Sequence, residues 1–214
     1  MRELTVERVA APLSPGEAAG ALDRAQSHTI GFCNWVLDYP YVPQASFSIL
    51  HDGDTIYLRY TVEEQSVAAV AAEDNGPVWR DSCVEMFCSF DGVGYYNLEA
   101  NAAGRVLLSY RVPTEDKVMA DAGILASIGR YPSLGDKPFG QRVEQTCWSL
   151  MLTVPAAAFF RSGIESLCGL VATANFYKCG DDLIEPHFVS WSPIDSPEPN
   201  FHLPQYFGRV CFGR

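Results

Sequence analysis

Glu85 stands in the middle of "DSCVEMF" (81–87), a stretch that otherwise alternates like a buried strand, and Trp79 precedes its entrance. Side chains alternate across a strand, so parity assigns each residue a face. Val84, Met86 and Cys88 share one side, and Asp81, Cys83, Glu85 and Phe87 share the other. In "YYNLEAN" (95–101), Tyr96, Leu98 and Ala100 oppose Tyr95, Asn97, Glu99 and Asn101. In "VATANFYKC" (171–179), Thr173, Asn175, Tyr177 and Cys179 lie together. If the three strands are neighbours, one sheet face carries Glu85, Asn97, Glu99, Asn101, Thr173, Asn175 and Tyr177. Carboxylates and amides beside aromatic rings suit a sugar, whose hydroxyls need hydrogen bonds and whose C–H face packs on an aromatic plane. The plainer reading is a wet outer face, since antiparallel sheets often leave one side to solvent. Trp79 alone fits a core position readily. Its place after Asn75-Gly76-Pro77, at a loop-to-strand junction, favours exposure.

Other chemistries have less support. Glu85 and Glu99 have the residue types of an acid/base pair for glycoside hydrolysis, where carboxyl separation decides the stereochemistry. Two carboxylates on neighbouring strands are common, so binding outranks catalysis. His28, His51, His187 and His202 show no metal-ligand spacing. His187 and Trp191 share strand parity, which favours a structural or binding role. There is no G-x-S-x-G elbow, P-loop or dinucleotide-binding glycine pattern. Asp181, Asp182 and Glu185 carry oxygen ligands of the kind calcium takes, but without a defined loop pattern they read as a solvated acidic turn. No cofactor is expected, and structural calcium is the one metal with any support.

The elements that must position these groups are mostly strands. The turn "HDGD" joins "ASFSIL" (45–50) to "TIYLRYTV" (55–62) as a hairpin. "DSCVEMFCSF", "YYNLEAN" and "GRVLLSYRV" continue as a meander, followed by "TCWSLMLTV", "LCGLVATANFYKC", "PHFVSW" and a closing "FGRVCFG". Nine or ten short strands at this spacing predict an all-β fold, an antiparallel β-sandwich of jelly-roll-like type. Ser14-Pro15-Gly16-Glu17 opens one short N-terminal helix running to about Gln26, with Ser as cap and Glu at the third position. A further helical turn is expected after Pro155. The segment "SPIDSPEPNFHLPQYFG" holds four prolines in a long irregular loop, and such loops inside compact domains usually serve function.

With 214 residues and no break in composition, residues 1–214 read as a single domain. A chain this size buries roughly 70% of its unfolded surface and needs neither disulfides nor metal to be stable. The net charge of −11 argues against nucleic acid and against an anionic membrane as partners. Seven cysteines without a C-x-x-C fit a disulfide framework badly and suggest free thiols that behave as small hydrophobes in a reducing compartment. The N-terminal segment lacks the apolar core of a signal peptide, so the expected location is cytoplasmic, or exported if a leader has been trimmed.

Taken in order, "VWRDSCVEMF", "YYNLEANAAG", "NFYKCGD" and "PHFVSWSPI…PNFHLPQYFG" resemble the family 9 carbohydrate-binding modules, and most closely the stand-alone family-9-like proteins of bacteria. The likeness runs from about Asn34-Trp35 to the C-terminus. It implies a β-sandwich that binds glucans, xylans or their free sugars, often at a reducing end, with calcium in a structural role. In the family pattern a tryptophan precedes the strand by a short loop, and a glutamate on the strand meets sugar hydroxyls. Trp79 and Glu85 match these two positions. Phe201 falls where the second stacking aromatic lies, and Asn175 matches an asparagine on the facing strand. Glu99 stands where sugar-binding members carry arginine, and Thr173 where they carry glutamine. The resemblance therefore implies a non-catalytic site of Trp79, Glu85, Asn97, Glu99, Asn175 and Phe201, linked to carbohydrate catabolism. The alternatives are a hydrolase using Glu85 and Glu99, or an interaction module that has lost its sugar. One geometric condition attaches to this site. Six residues of extended strand span about 20 Å, so Trp79 and Glu85 serve one sugar only if the chain bends near Arg80-Asp81.

Overall fold

The computed structural model describes residues 2–112 and 115–214. The first half contains β1 (Glu3–Arg8), β2 (Ser27–Ile30), β3 (Phe32–Cys33), β4 (Gln44–His51), β5 (Thr55–Glu64) and β6 (Val67–Ala69). The meander follows as β7 (Cys83–Ser89), β8 (Tyr95–Asn101), β9 (Val106–Arg111) and β10 (Val118–Met119). The rest comprises β11 (Gly129–Pro132), β12 (Phe139–Arg142), β13 (Thr146–Pro155), β14 (Val171–Cys179), β15 (Phe188–Ser190) and β16 (Gly208–Phe212).

These strands form two layers joined by β1. One layer runs β10-β9-β8-β7-β14-β16-β1, and the other runs β1-β4-β5-β13-β11. β1 pairs with β16 through residues 3–6 and with β4 through Glu7 and Arg8, and both pairings are parallel. The expected antiparallel sandwich therefore needs a correction: the sheet is mixed, because β1 passes from one layer to the other as a shared edge. The long ladders, β5 with β13 and β7 with β14, are antiparallel as expected.

The core between the layers is built from the faces that parity assigned to it. Val84, Met86, Cys88, Tyr96, Leu98, Ala100, Ala172, Ala174 and Phe176 come from one layer, and Phe47, Ile49, Leu58, Tyr60, Leu150 and Leu152 from the other. Phe47 stacks on Phe176 across the gap, ring centres 3.7 Å apart. Burying such a pair contributes about 0.5–1.5 kcal/mol beyond its area.

At one end this apolar interior receives a charge. Lys178 continues the inward parity of Phe176, and Glu64 continues that of Val62. Their side chains meet at 2.9 Å with neither exposed to solvent, in an ion pair rather than an aligned hydrogen bond. The Trp148 indole donates to Glu64 Oε1 at 2.7 Å. Lys178 Nζ also donates to the Cys179 carbonyl at 2.7 Å and lies 2.7 Å from His187 Nε2. Burial and the neighbouring ammonium push His187 down to about 2, so its Nε2 accepts while Nδ1–H donates to the Glu185 carbonyl. This cluster ties β14 of one layer to β5 and β13 of the other.

The helix at Pro15–Leu22 has the expected capping box between Ser14 and Glu17, and it ends at Leu22 rather than near Gln26. A second helix at Ala122–Ser127, capped by Asp121, was not anticipated. Six residues are too few to show a 3.6-residue pattern. The turn after Pro155 is a short 3₁₀ segment, Ala156–Ala158.

Removing one partner of a buried pair leaves an uncompensated charge, which costs about 3–5 kcal/mol. Glu64→Ala is expected to lower the urea unfolding free energy by about that much. Replacing both charges, as Glu64→Leu with Lys178→Met, is expected to recover most of the loss.

Candidate functional site

β7 lies between β8 and β14, so the three strands singled out by parity are neighbours. Glu85 is directly opposite Glu99 on one side and Tyr177 on the other, while Phe87 faces Asn97 and Asn175. The outward face of these strands is not wet. A second apolar cluster covers it, built from Trp35, Val78, Phe87, Tyr95, Leu107, Tyr177, Ile194, Phe201 and Phe207. Of the seven polar or aromatic residues assigned to that face, only Thr173 is exposed.

The cover consists of loops whose backbone groups are held by side chains. Asn175 donates to the Ser192 carbonyl at 3.0 Å and accepts from the Ser192 amide at 2.8 Å. Asn34 accepts from the Ile194 amide, the Trp35 indole donates to the Ser196 carbonyl, and the Tyr177 hydroxyl donates to the Phe201 carbonyl. An irregular segment has no ladder to satisfy its amides and carbonyls, so these buried side chains take that role. The loop at 192–207 is thereby fixed over the sheet.

On the other side of the cleft the chain bends where the geometry demanded it. Val78–Arg80 forms a 3₁₀ turn, and Asp81 then re-enters extended backbone. The Asp81 carboxylate holds the turn by accepting from the amides of Val70 and Ala71 and from the Asn101 side chain, each at 2.9 Å. The Trp79 and Arg80 carbonyls accept from the amides of Asp181 and Asp182. Trp79, half-buried, is carried back over the strand it precedes.

Between these two walls lies a cleft of about 270 Å³. Trp79, Phe87, Leu107, Phe188 and Phe201 give it apolar walls, while Glu85, Glu99 and Asp181 bring carboxyls to it. Arg111, Lys117, Asn200 and His202 complete the polar lining. The structure therefore brings Trp79, Glu85, Glu99 and Phe201 to one cavity. Asn97 and Asn175 are fully buried and do not line it. Asn97 stands behind Glu99, donating to its Oε1 at 2.6 Å, and accepts from the Ser109 hydroxyl. Asn175 is engaged with Ser192. The expectation that these two amides line the site is corrected, since both are engaged within the protein. Phe201 is also less open than a stacking platform needs, since Tyr177 covers one of its faces at 4.1 Å and 10°.

Arg111 and Lys117 were not singled out by sequence, while Asp181 was read only as part of an acidic turn and His202 only as a histidine without metal-ligand spacing. Arg111 and Lys117 lie at or beyond the end of a strand, where alternation says little. His202 sits in the proline-rich loop with its ring against Phe87 and its Nδ1 3.1 Å from the Tyr95 hydroxyl.

Burial raises Glu85 well above the usual carboxylate range, and the facing Glu99 adds to it. Burial likewise pushes Glu99 up to about 7, opposed by the Asn97 hydrogen bond and by Arg111 and Lys117. Burial thus drives both carboxyls the same way, toward the protonated form. Glu85 Oε1 accepts from Cys179 Sγ at 3.2 Å and Cys83 Sγ at 3.7 Å, while its Oε2 is buried without a partner. Asp181, Asp182 and Glu185 do not converge on a point among the described residues, and Asp182 lies 3.8 Å from Arg80.

A model of carbohydrate-binding family 9 matches residues 18–212. A Bacteroides uniformis protein of known structure, provisionally described as carbohydrate-binding, is 43% identical to this chain, with a TM-score of 0.94 over 99% of both chains. Two structures of a family 9 module from Caldicellulosiruptor kristjanssonii, one with glucose and one with cellotriose, have TM-scores of 0.60 at 15% identity. They cover all of this chain and 97% and 95% of theirs, and at that identity they speak for the fold alone. No protein of curated function matches the chain.

His202 gives a pH test of the cleft wall. Burial lowers it from 6.5 to about 4, with Arg111 and Lys117 acting in the same direction. A lowered group gives stability that is present above its unfolded value of 6.5 and lost as pH falls toward 4. Relative to His202→Gln, the wild type is expected to lose about 2 kcal/mol between pH 7.5 and pH 5. Paired denaturant titrations at the two pH values read this difference, and an unchanged gap would place the imidazole in water.

Proposed function

The chain belongs to carbohydrate-binding family 9, and on that basis we propose that it is a non-catalytic sugar-binding protein that holds the end of an oligosaccharide or polysaccharide in the cleft between Trp79 and the 192–207 loop. The observation that carries this reading is the convergence of Trp79 with Glu85 and Glu99 in one cavity. An indole beside two hydroxyl-accepting carboxyls is the combination a pyranose requires. The volume of about 270 Å³ falls below the roughly 300–1,000 Å³ of drug-sized pockets. That size favours one ring at a chain end over a run of rings along a polymer.

In this reading Trp79 provides the stacking face and Phe201 closes the opposite wall with its remaining surface. Glu85 and Glu99 accept hydroxyl protons. Asn97 sets the orientation of Glu99, and Asn175 sets the loop that carries Phe201. Hydrogen bonds to neutral groups contribute about 0.5–1.5 kcal/mol each and those to charged groups about 1.5–3. A few of them with stacking give affinity in the micromolar to millimolar range after association costs. A cytoplasmic location and a place in carbohydrate catabolism belong to the same proposal. All seven cysteines are unpaired, which suits a reducing compartment.

Calorimetric titration with glucose, cellotriose and longer glucans tests both claims. Affinity per chain end is expected to level off after the first one or two rings, and Trp79→Ala is expected to weaken it about tenfold or more, equivalent to ~1.4 kcal/mol. Equal binding by wild type and Trp79→Ala would place the sugar elsewhere. Affinity that climbs steadily with chain length would replace end recognition with binding along the chain.

A further inference from the structure

The buried floor of the cleft holds two thiols that sugar recognition does not use, beside Glu85, which it does. Cys83 and Cys179 are directly opposed across the β7–β14 ladder. Glu85 shares the face of Cys83, two residues along the same strand. One ligand atom from each of the three lies within 4.8 Å of the other two. Among the described residues this is the group that converges in this way. We propose that Cys83, Cys179 and Glu85 form a binding site for a thiophilic divalent cation of the Zn²⁺ class, open on one side to the cleft.

The spacing fits tetrahedral coordination. With metal–sulfur bonds near 2.3 Å and metal–oxygen bonds of about 2.0–2.2 Å, neighbouring ligand atoms stand roughly 3.5–3.8 Å apart. The sulfur-to-Oε1 distances of 3.2 and 3.7 Å lie at or close to that value, so a small adjustment of Cys179 completes the edge. Two thiols and one oxygen select a borderline-soft cation over calcium or magnesium, which take oxygen alone.

A second observation points the same way. Glu85 is 2% exposed, its Oε1 meets only weak S–H donors, and its Oε2 has no partner. A buried carboxyl so poorly satisfied is costly, and a cation beside it supplies the missing partner. The route in is the cleft itself, since Glu85 and Cys179 line it while Cys83 sits behind them. Asp181 lines the same cavity and offers an oxygen for the fourth position, which water can otherwise occupy. Arg111 and Lys117 across the cleft offset the excess negative charge of two thiolates and a carboxylate.

The inference goes beyond sugar binding and fails separately from it. Titration of the protein with Co²⁺ is expected to give a thiolate-to-cobalt charge-transfer band and tetrahedral visible bands that saturate at one equivalent and disappear on adding Zn²⁺. Cys83→Ser and Cys179→Ser are expected to abolish the charge-transfer band. Cys147→Ser, at an exposed thiol, is expected to keep it, and so is Trp79→Ala. Absence of the band in the wild type, or its survival in the Cys83→Ser/Cys179→Ser double variant, overturns the site. Should the buried variants fail to fold, anomalous diffraction from wild-type crystals grown with Zn²⁺ decides the matter. A peak bonded to both sulfurs supports the site, and a peak only elsewhere removes it.

Discussion

Water is shut out of both faces of β7 and β8 and of β14 from Ala174 onward, and that exclusion sets the terms for every polar side chain carried there. A strand with one wet face can point its charges at solvent. These strands cannot, so each polar group must be paired inside the protein, left unpaired at a cost, or aimed into the cleft. Lys178 takes the first course with Glu64 and His187. Asn97, Asn101 and Asn175 also take it, with all three amides engaged in holding loops and neighbouring side chains. Glu85 takes the second in part, and Glu99 reaches the cavity. The cleft's chemistry is therefore what remains after the structural demands on that layer are met.

β14 shows how one strand serves two layers at once. Its even-numbered residues, Ala172 to Lys178, enter the core between the sheets, and its odd-numbered residues, Asn175 to Cys179, enter the layer under the loops. Lys178 and Cys179 are adjacent in sequence yet belong to different chemistries, a charge lock on one side and the cleft floor on the other. Gly180 follows at once, and a Cβ there would come within 2.5 Å of Leu183 and 3.0 Å of His187. The turn that delivers Asp181 to the cleft thus depends on glycine for its closeness to the His187 ring.

Alternation made the strands and their core faces legible. It predicted that Glu85, Glu99 and Asn175 would share a face, and it told Val84 from Glu85 correctly. What alternation does not carry is coverage. Nothing in the parity of Asn97 or Asn175 says that a loop a hundred residues away in sequence, or nearly adjacent to it, will roof the sheet, so their amides read as available when they are engaged. The six-residue helix at Ala122–Ser127 and the two-residue strands were too short for any period to show. Cys83 and Cys179 read as small hydrophobes because their partner is reached only through strand register. The bend at Val78–Arg80 was required by the reach of an extended chain, and Asp81 supplies the hydrogen bonds that make it.

The parallel seam at β1 has a consequence for how the chain acquires its shape. Glu3 pairs with Arg209 and Val6 with Phe212, so the sheet that bears the cleft closes only when β1 meets β16, far along the chain. Contacts of such long sequence separation pay their loop entropy before they return any stability, and they slow folding. On a ribosome, β7, β8 and β9 can assemble as a local meander, but β14 keeps an open edge until residues 208–212 emerge and dock beside it. Cleft and seam are then completed together, once β16 has emerged. Truncations that remove β16 strike the cleft-bearing layer and the junction between the sheets at the same time.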